Sequence, residues 1–95
     1  MNSELTERLK GAKRYLSERY MISRLGVFGS YARGENSPES DIDIIIEFSK
    51  TPDLFEFFEI EEYLENVLHK KIDLVREAAL KTQIKNRVLS EVIYI

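Results

Sequence analysis

Five residues, Ile42-Asp43-Ile44-Ile45-Ile46, constrain the fold of this chain more than any other stretch. Residues 44–46 are β-branched throughout, which stiffens χ1 and favours a strand. Asp41 and Asp43 stand at the mouth of that strand. Strand side chains two apart share a face, so both carboxylates project the same way, with Cα atoms roughly 6–7 Å apart. Like charges at that spacing raise each other's pKa and work against folding; a divalent cation between them reverses the sign. Hard oxygen ligands suit Mg²⁺, which takes one or two protein carboxylates and completes its shell with water and phosphate oxygens. The pattern alone leaves two readings open, a metal-binding dyad or two acids decorating a strand end.

A second signal lies one loop upstream. Gly29-Ser30 follows the apolar run Leu25-Gly26-Val27-Phe28 and precedes the helix-compatible Tyr31-Ala32-Arg33. This is the pattern of a tight strand-to-helix turn. Glycine permits close backbone approach, the free N–H groups of a helix start favour an anion, and the Ser30 hydroxyl can bond a phosphate oxygen. Gly34, Asn36, Ser37 and Pro38 then break the helix into a loop leading to the next strand. A phosphate cradle followed by a carboxylate pair is a layout that holds a metal-bound nucleoside triphosphate. Arg33 is the cation within this stretch; it suits either a phosphate contact or a structural ion pair.

Gly29-Ser30-x-Ala32-Arg33-Gly34 followed by Ser40-Asp41-x-Asp43 resembles the signature of the DNA polymerase β-like nucleotidyltransferase superfamily. It resembles in particular the minimal nucleotidyltransferase branch, small antitoxin-type proteins partnered with HEPN-domain toxins. The resemblance implies ATP or another nucleoside triphosphate as substrate and one or two Mg²⁺ ions. Asp41, Asp43 and a third carboxylate would be the catalytic, metal-binding set, with Gly29, Ser30 and Arg33 on the nucleotide. It further implies transfer of AMP to a tyrosine of the toxin. A non-catalytic antitoxin that acts by occlusion, and a small-molecule nucleotidyltransferase, are the alternatives.

The remaining elements follow from periodicity. Residues 3–20 form a helix with an apolar stripe of Leu5, Leu9, Ala12, Leu16 and Tyr20, and Ser3 is the expected N-cap. Strands are expected at 23–28 and 41–48, with a short helix at 30–33 between them. Thr51-Pro52-Asp53 opens a helix over 53–68 that buries Phe57, Ile60, Leu64, Val67 and Leu68. Its glutamates make a solvated face, while Phe55, Phe58 and Tyr63 exceed what one stripe buries, so one or two of them are expected exposed to a partner. His69 closes the helix.

Residues 71–75 form a strand in which Asp73 interrupts the core pattern. A charge there needs a partner. Beside 41–48 it would fall next to Asp43 and complete the triad that the resemblance implies; a salt bridge to a nearby base is the other reading. Residues 77–89 are expected helical, and 91–95 a final edge strand.

The sum is an α/β (α+β) domain spanning 1–95, with a mixed, mostly antiparallel sheet of about four strands flanked by helices. Its 95 residues suit one domain, and 43% hydrophobic residues suffice for a core. A net charge of −3 argues against general nucleic-acid binding. There is no cysteine, no apolar run that spans a membrane and no signal peptide, so a cytoplasmic location is expected. The chain stops soon after the nucleotide-binding core, which points to another protein as acceptor.

Overall fold

The isoleucine run forms the strand expected of it, one of the two interior strands of the sheet. The computed structural model describes residues 1–95. In chain order it contains α1 (Ser3–Arg19), β1 (Ile22–Phe28), α2 (Gly29–Arg33), β2 (Ile42–Phe48), α3 (Leu54–Leu68), β3 (Ile72–Arg76), a 3-10 turn (Glu77–Ala79), α4 (Thr82–Glu91) and β4 (Ile93–Tyr94). The sheet order is β3-β2-β1-β4. β1 runs antiparallel to β2 and to β4, whereas β2 and β3 are parallel. The parallel pair needs a crossover, and α3 supplies it.

The core lies between one face of this sheet and two helices. Leu9, Ala12 and Leu16 of α1 and Ile60, Leu64 and Leu68 of α3 pack against Leu25, Val27, Ile42, Ile44, Ile46, Ile72 and Leu74. Alternation along β2 sends Asp43, Ile45 and Glu47 to the opposite face. There α4 packs against β1 and α2. Of the expected stripes, Leu5, Tyr20, Phe57 and Val67 are only half-buried and rim the core.

The helix caps are local chemistry. Asn2, not Ser3, caps α1: its Oδ1 accepts from the Leu5 N–H at 2.7 Å, and Ser3 is already the first helical residue. At α3, Asp53 Oδ1 accepts from the Glu56 N–H (2.8 Å) and Glu56 Oε1 accepts from the Asp53 N–H (3.1 Å), a reciprocal capping box. Replacing Asp53 with alanine is expected to cost about 1 kcal/mol, which a thermal melt would register as a fall of roughly 4–8 °C for a domain of this size. His69 ends α3 in the left-handed region (φ 53°), its N–H donating to the Glu65 carbonyl. Not all the α3 glutamates are simply solvated, since Glu59 accepts from the Tyr20 hydroxyl and Glu65 from the Ile72 N–H. Phe55 (80% exposed) and Phe58 (54%) stand clear of the core, while Tyr63 stacks on Tyr15 with ring centroids 4.2 Å apart.

The C-terminal third departs from expectation. The helix expected over 77–89 is broken: Leu80 and Lys81 are extended, with a 3-10 turn before them and α4 after. Glu77, in the turn before the break, is buried with its carboxylate bonded to Arg24 Nη2 at 2.7 Å, which ties the turn to β1. The helix then continues through Glu91, so the final strand shrinks from 91–95 to Ile93–Tyr94, paired with Val27 and Gly26 at the sheet edge. No helix is long and apolar enough to cross a membrane.

Candidate active site

Strand register assembles the acidic cluster. Asp43 lies opposite Phe28 on β1 and opposite Asp73 on β3. Neighbouring strands are ~4.8 Å apart, so the two side chains leave the same face of the sheet side by side. Asp41 precedes β2, which begins at Ile42, and is exposed. Asp43 is half-buried and Asp73 exposed. The Asp43 carboxyl is held above the ordinary carboxylate range, first by burial, then by the charges of Asp73 and Asp41, and by a hydrogen bond to Asp73; the Arg33 charge opposes this. The three aspartates singled out from the sequence therefore share one field, and Asp73 meets Asp43 rather than a base.

Gly29 is shaped around Asp43. It sits in the left-handed region (φ +71°), and a Cβ there would lie 2.1 Å from Asp43 Oδ2. Only glycine tolerates both conditions. Ser30 follows as the second residue of α2, whose N-terminal neighbour, Phe28, offers no side-chain cap. The Gly29 N–H is occupied: it donates to Glu91 Oε1 at 3.1 Å. Arg33 donates from Nη1 to Glu91 Oε2 and from Nε to Glu35 Oε2, each at 3.0 Å. Within the folded chain Arg33 is thus an ion-pairing residue. Its bond to Glu91 is the main cause holding the Glu91 carboxyl below its usual range, with the Gly29 N–H adding to it. Glu91 had no signal in the sequence, since it lies 62 residues from Gly29 within a segment expected to be strand. Tyr31, between Ser30 and Arg33, is buried in the core.

The donor set fits a hard divalent cation in part. Its oxygens are carboxylates crowded by like charge, which a cation relieves. No three acidic or histidine side chains are disposed to enclose an ion by themselves, so an ion here would draw further ligands from water and substrate oxygens, as Mg²⁺ does. A hollow of about 160 Å³ is lined by residues including Tyr31, Ile42, Leu68 and Lys70. It includes none of the three aspartates.

The family model for a nucleotidyltransferase domain matches residues 9–95. The chain is 45% identical to the protein adenylyltransferase MntA of Thermococcus cleftensis, over 97% of this chain and 93% of that one. A solved structure assigned to a minimal nucleotidyltransferase superposes with a TM-score of 0.81 at 32% identity, covering 98% of this chain and 95% of that one. A complex of tri-AMPylated Shewanella oneidensis HEPN toxin with its MNT antitoxin shares the fold, with a TM-score of 0.72, 21% identity and coverage of 95% and 70%.

Proposed function

The chain belongs to the nucleotidyltransferase-domain family, and on that premise we propose that it transfers AMP from ATP to a hydroxyl of a partner protein. The observation that carries the reading is the register that sets Asp73 beside Asp43, with Gly29 closed against Asp43 and Asp41 two residues upstream of it. Asp41 and Asp43 would hold Mg²⁺, which when bound neutralises charge between the carboxylates and the triphosphate. The Gly29-Ser30 turn and Arg33 receive the terminal phosphates. Asp73 takes the proton from the attacking hydroxyl. The hydroxyl oxygen forms a bond to the α-phosphorus, the bond from that phosphorus to the bridging oxygen breaks, and pyrophosphate leaves.

The relative named a protein adenylyltransferase and the HEPN toxin complex support a toxin of that class as partner; a tyrosine hydroxyl as the acceptor is part of the proposal. The start of α3 supports a protein partner independently. Leu54, Phe55 and Phe58 are exposed there, among Asp53, Glu56, Glu59 and Glu62, and residues 53–68 contain no lysine or arginine. That surface suits apolar and basic groups on another chain.

Isotope placement tests the reaction. With ATP labelled at the α-phosphate, the label is expected on the partner protein; with ATP labelled at the γ-phosphate, it is expected in released pyrophosphate. Label from the γ-phosphate on either protein would mean phosphoryl transfer and would overturn the assignment.

A further inference from the structure

Glu91 has no part in the reaction just described, yet it joins two of the groups that receive the nucleotide. Its Oε1 accepts from the Gly29 N–H (3.1 Å) and its Oε2 from Arg33 Nη1 (3.0 Å). Its side chain is only 17% exposed. Both hydrogen bonds are charge-assisted, the strong kind. The end of α4 is carried to this point by a close approach to β1. A Cβ on Gly26 would lie 2.6 Å from Val92 Cγ2, so a side chain at Gly26 would push Val92, and Glu91 with it, off the sheet. The Ile95 N–H, bonded to the Leu25 carbonyl at 2.9 Å, pins the chain just beyond.

Arg33 is gripped twice, by Glu91 through Nη1 and by Glu35 through Nε. A guanidinium is a planar fork, so fixing two of its nitrogens fixes the direction of the third. Nη2 is the nitrogen left over. On the other side of Gly29 lies the Asp43 carboxylate. Glu91 and Asp43 thus hold one glycine between them, the first from α4 and the second from β2.

We propose that Glu91 is a positioning residue for the nucleotide: it fixes the Gly29 backbone and the Arg33 guanidinium in the arrangement that receives the triphosphate, and so ties the C-terminal helix to the nucleotide site. This rests on the nucleotidyl-transfer reading above. The opposite role, a carboxylate that occupies the phosphate position and must be displaced, predicts the opposite sign. The double hold on Arg33 favours support, because the charge of Glu91 is already matched by the guanidinium and need not leave when phosphate arrives.

The test uses the full chain with its partner, measuring ATP affinity in the presence of Mg²⁺ together with KM and kcat for transfer. For Glu91→Ala, Kd and KM for ATP are expected to rise roughly tenfold, the scale of one lost charge-assisted hydrogen bond, with kcat changed far less. Glu91→Gln, which keeps an acceptor oxygen, should recover part of the loss. In an Arg33→Ala background the same Glu91→Ala change should have a much smaller effect, because the path through Arg33 is already gone. An unchanged or lowered Kd and KM in Glu91→Ala would overturn the proposal, as would a fall in melting temperature with normal affinity, or full additivity with Arg33→Ala. Wild-type protein that binds ATP while the variants match it sinks the role of Glu91 alone. Wild-type protein that neither binds ATP nor transfers from it removes the nucleotide reading and the role of Glu91 with it.

Discussion

Asp41→Asn combined with Asp43→Asn is expected to abolish transfer, by at least roughly a thousandfold, in a protein that stays folded and melts no lower than wild type. The two halves of that result have one cause. Burial and the charges of Asp73 and Asp41 raise the Asp43 pKa from its ordinary 3.8. A carboxyl with a raised pKa in the folded state binds its proton more readily there than in the unfolded chain. Its contribution to stability is therefore fullest below the ordinary value and is lost as pH rises through the raised one. At neutral pH the ionised Asp43 works against the fold, and asparagine removes that opposition together with the charge proposed to hold the metal. Melts taken from below the ordinary value of 3.8 up to neutral pH should show the wild type losing stability, relative to the double variant, as pH rises through the raised pKa. A double variant that is folded and still transfers AMP would remove these residues from the mechanism. One that has lost transfer but still suppresses the partner's toxicity would favour occlusion.

Gly29→Ala carries the second large effect, and it strikes fold and site together. The left-handed conformation costs an alanine about 1–2 kcal/mol. Its Cβ would also meet Asp43 Oδ2 at 2.1 Å and Cγ at 3.0 Å, so Asp43 must swing away or the turn must open, a further cost of about 1–3 kcal/mol. The melting temperature should fall by at least roughly 10 °C. Transfer should fall at least a hundredfold, since the residue displaced is a proposed metal ligand. Truncating the obstacle separates the two effects: Asp43→Ala in the Gly29→Ala background should restore part of the melting temperature and none of the activity. If Gly29→Ala alone melts and transfers like wild type, the packing of this turn on Asp43 is not what holds the site.

What the sequence disclosed divides along physical lines. The Ile42–Ile46 strand, the centres of the α1 and α3 stripes and the turn at Gly29 rest on local periodicity and backbone permissiveness and appear where expected, with Leu5, Tyr20, Phe57 and Val67 left on the rim of the core. Asp73 was legible only conditionally. Its placement beside Asp43 depends on β3 joining β2 in parallel register, a choice made by the α3 crossover and not by anything within residues 71–75. The capping of α1 by Asn2 turns on one residue of helix phase, and both Asn2 and Ser3 are good cap residues. The C-terminal third was least legible. No glycine or proline marks the break at Leu80-Lys81; an ion pair with Arg24, 53 residues away, accompanies it. The same is true of Glu91, whose partners, Gly29 and Arg33, stand at the two ends of α2, 62 and 58 residues earlier in the chain. Long-range ion pairs leave no periodic trace, so the carboxylates proposed to do the chemistry were visible and the one proposed to position their neighbours was not.

The most direct test of nucleotidyl transfer is the intact mass of both chains after the protein, co-purified with its partner, is incubated with ATP and Mg²⁺. One or more AMP additions on the partner are predicted with wild-type protein, and none with the Asp41→Asn, Asp43→Asn variant. A wild-type pair that binds ATP and shows no added mass on either chain would contradict the account.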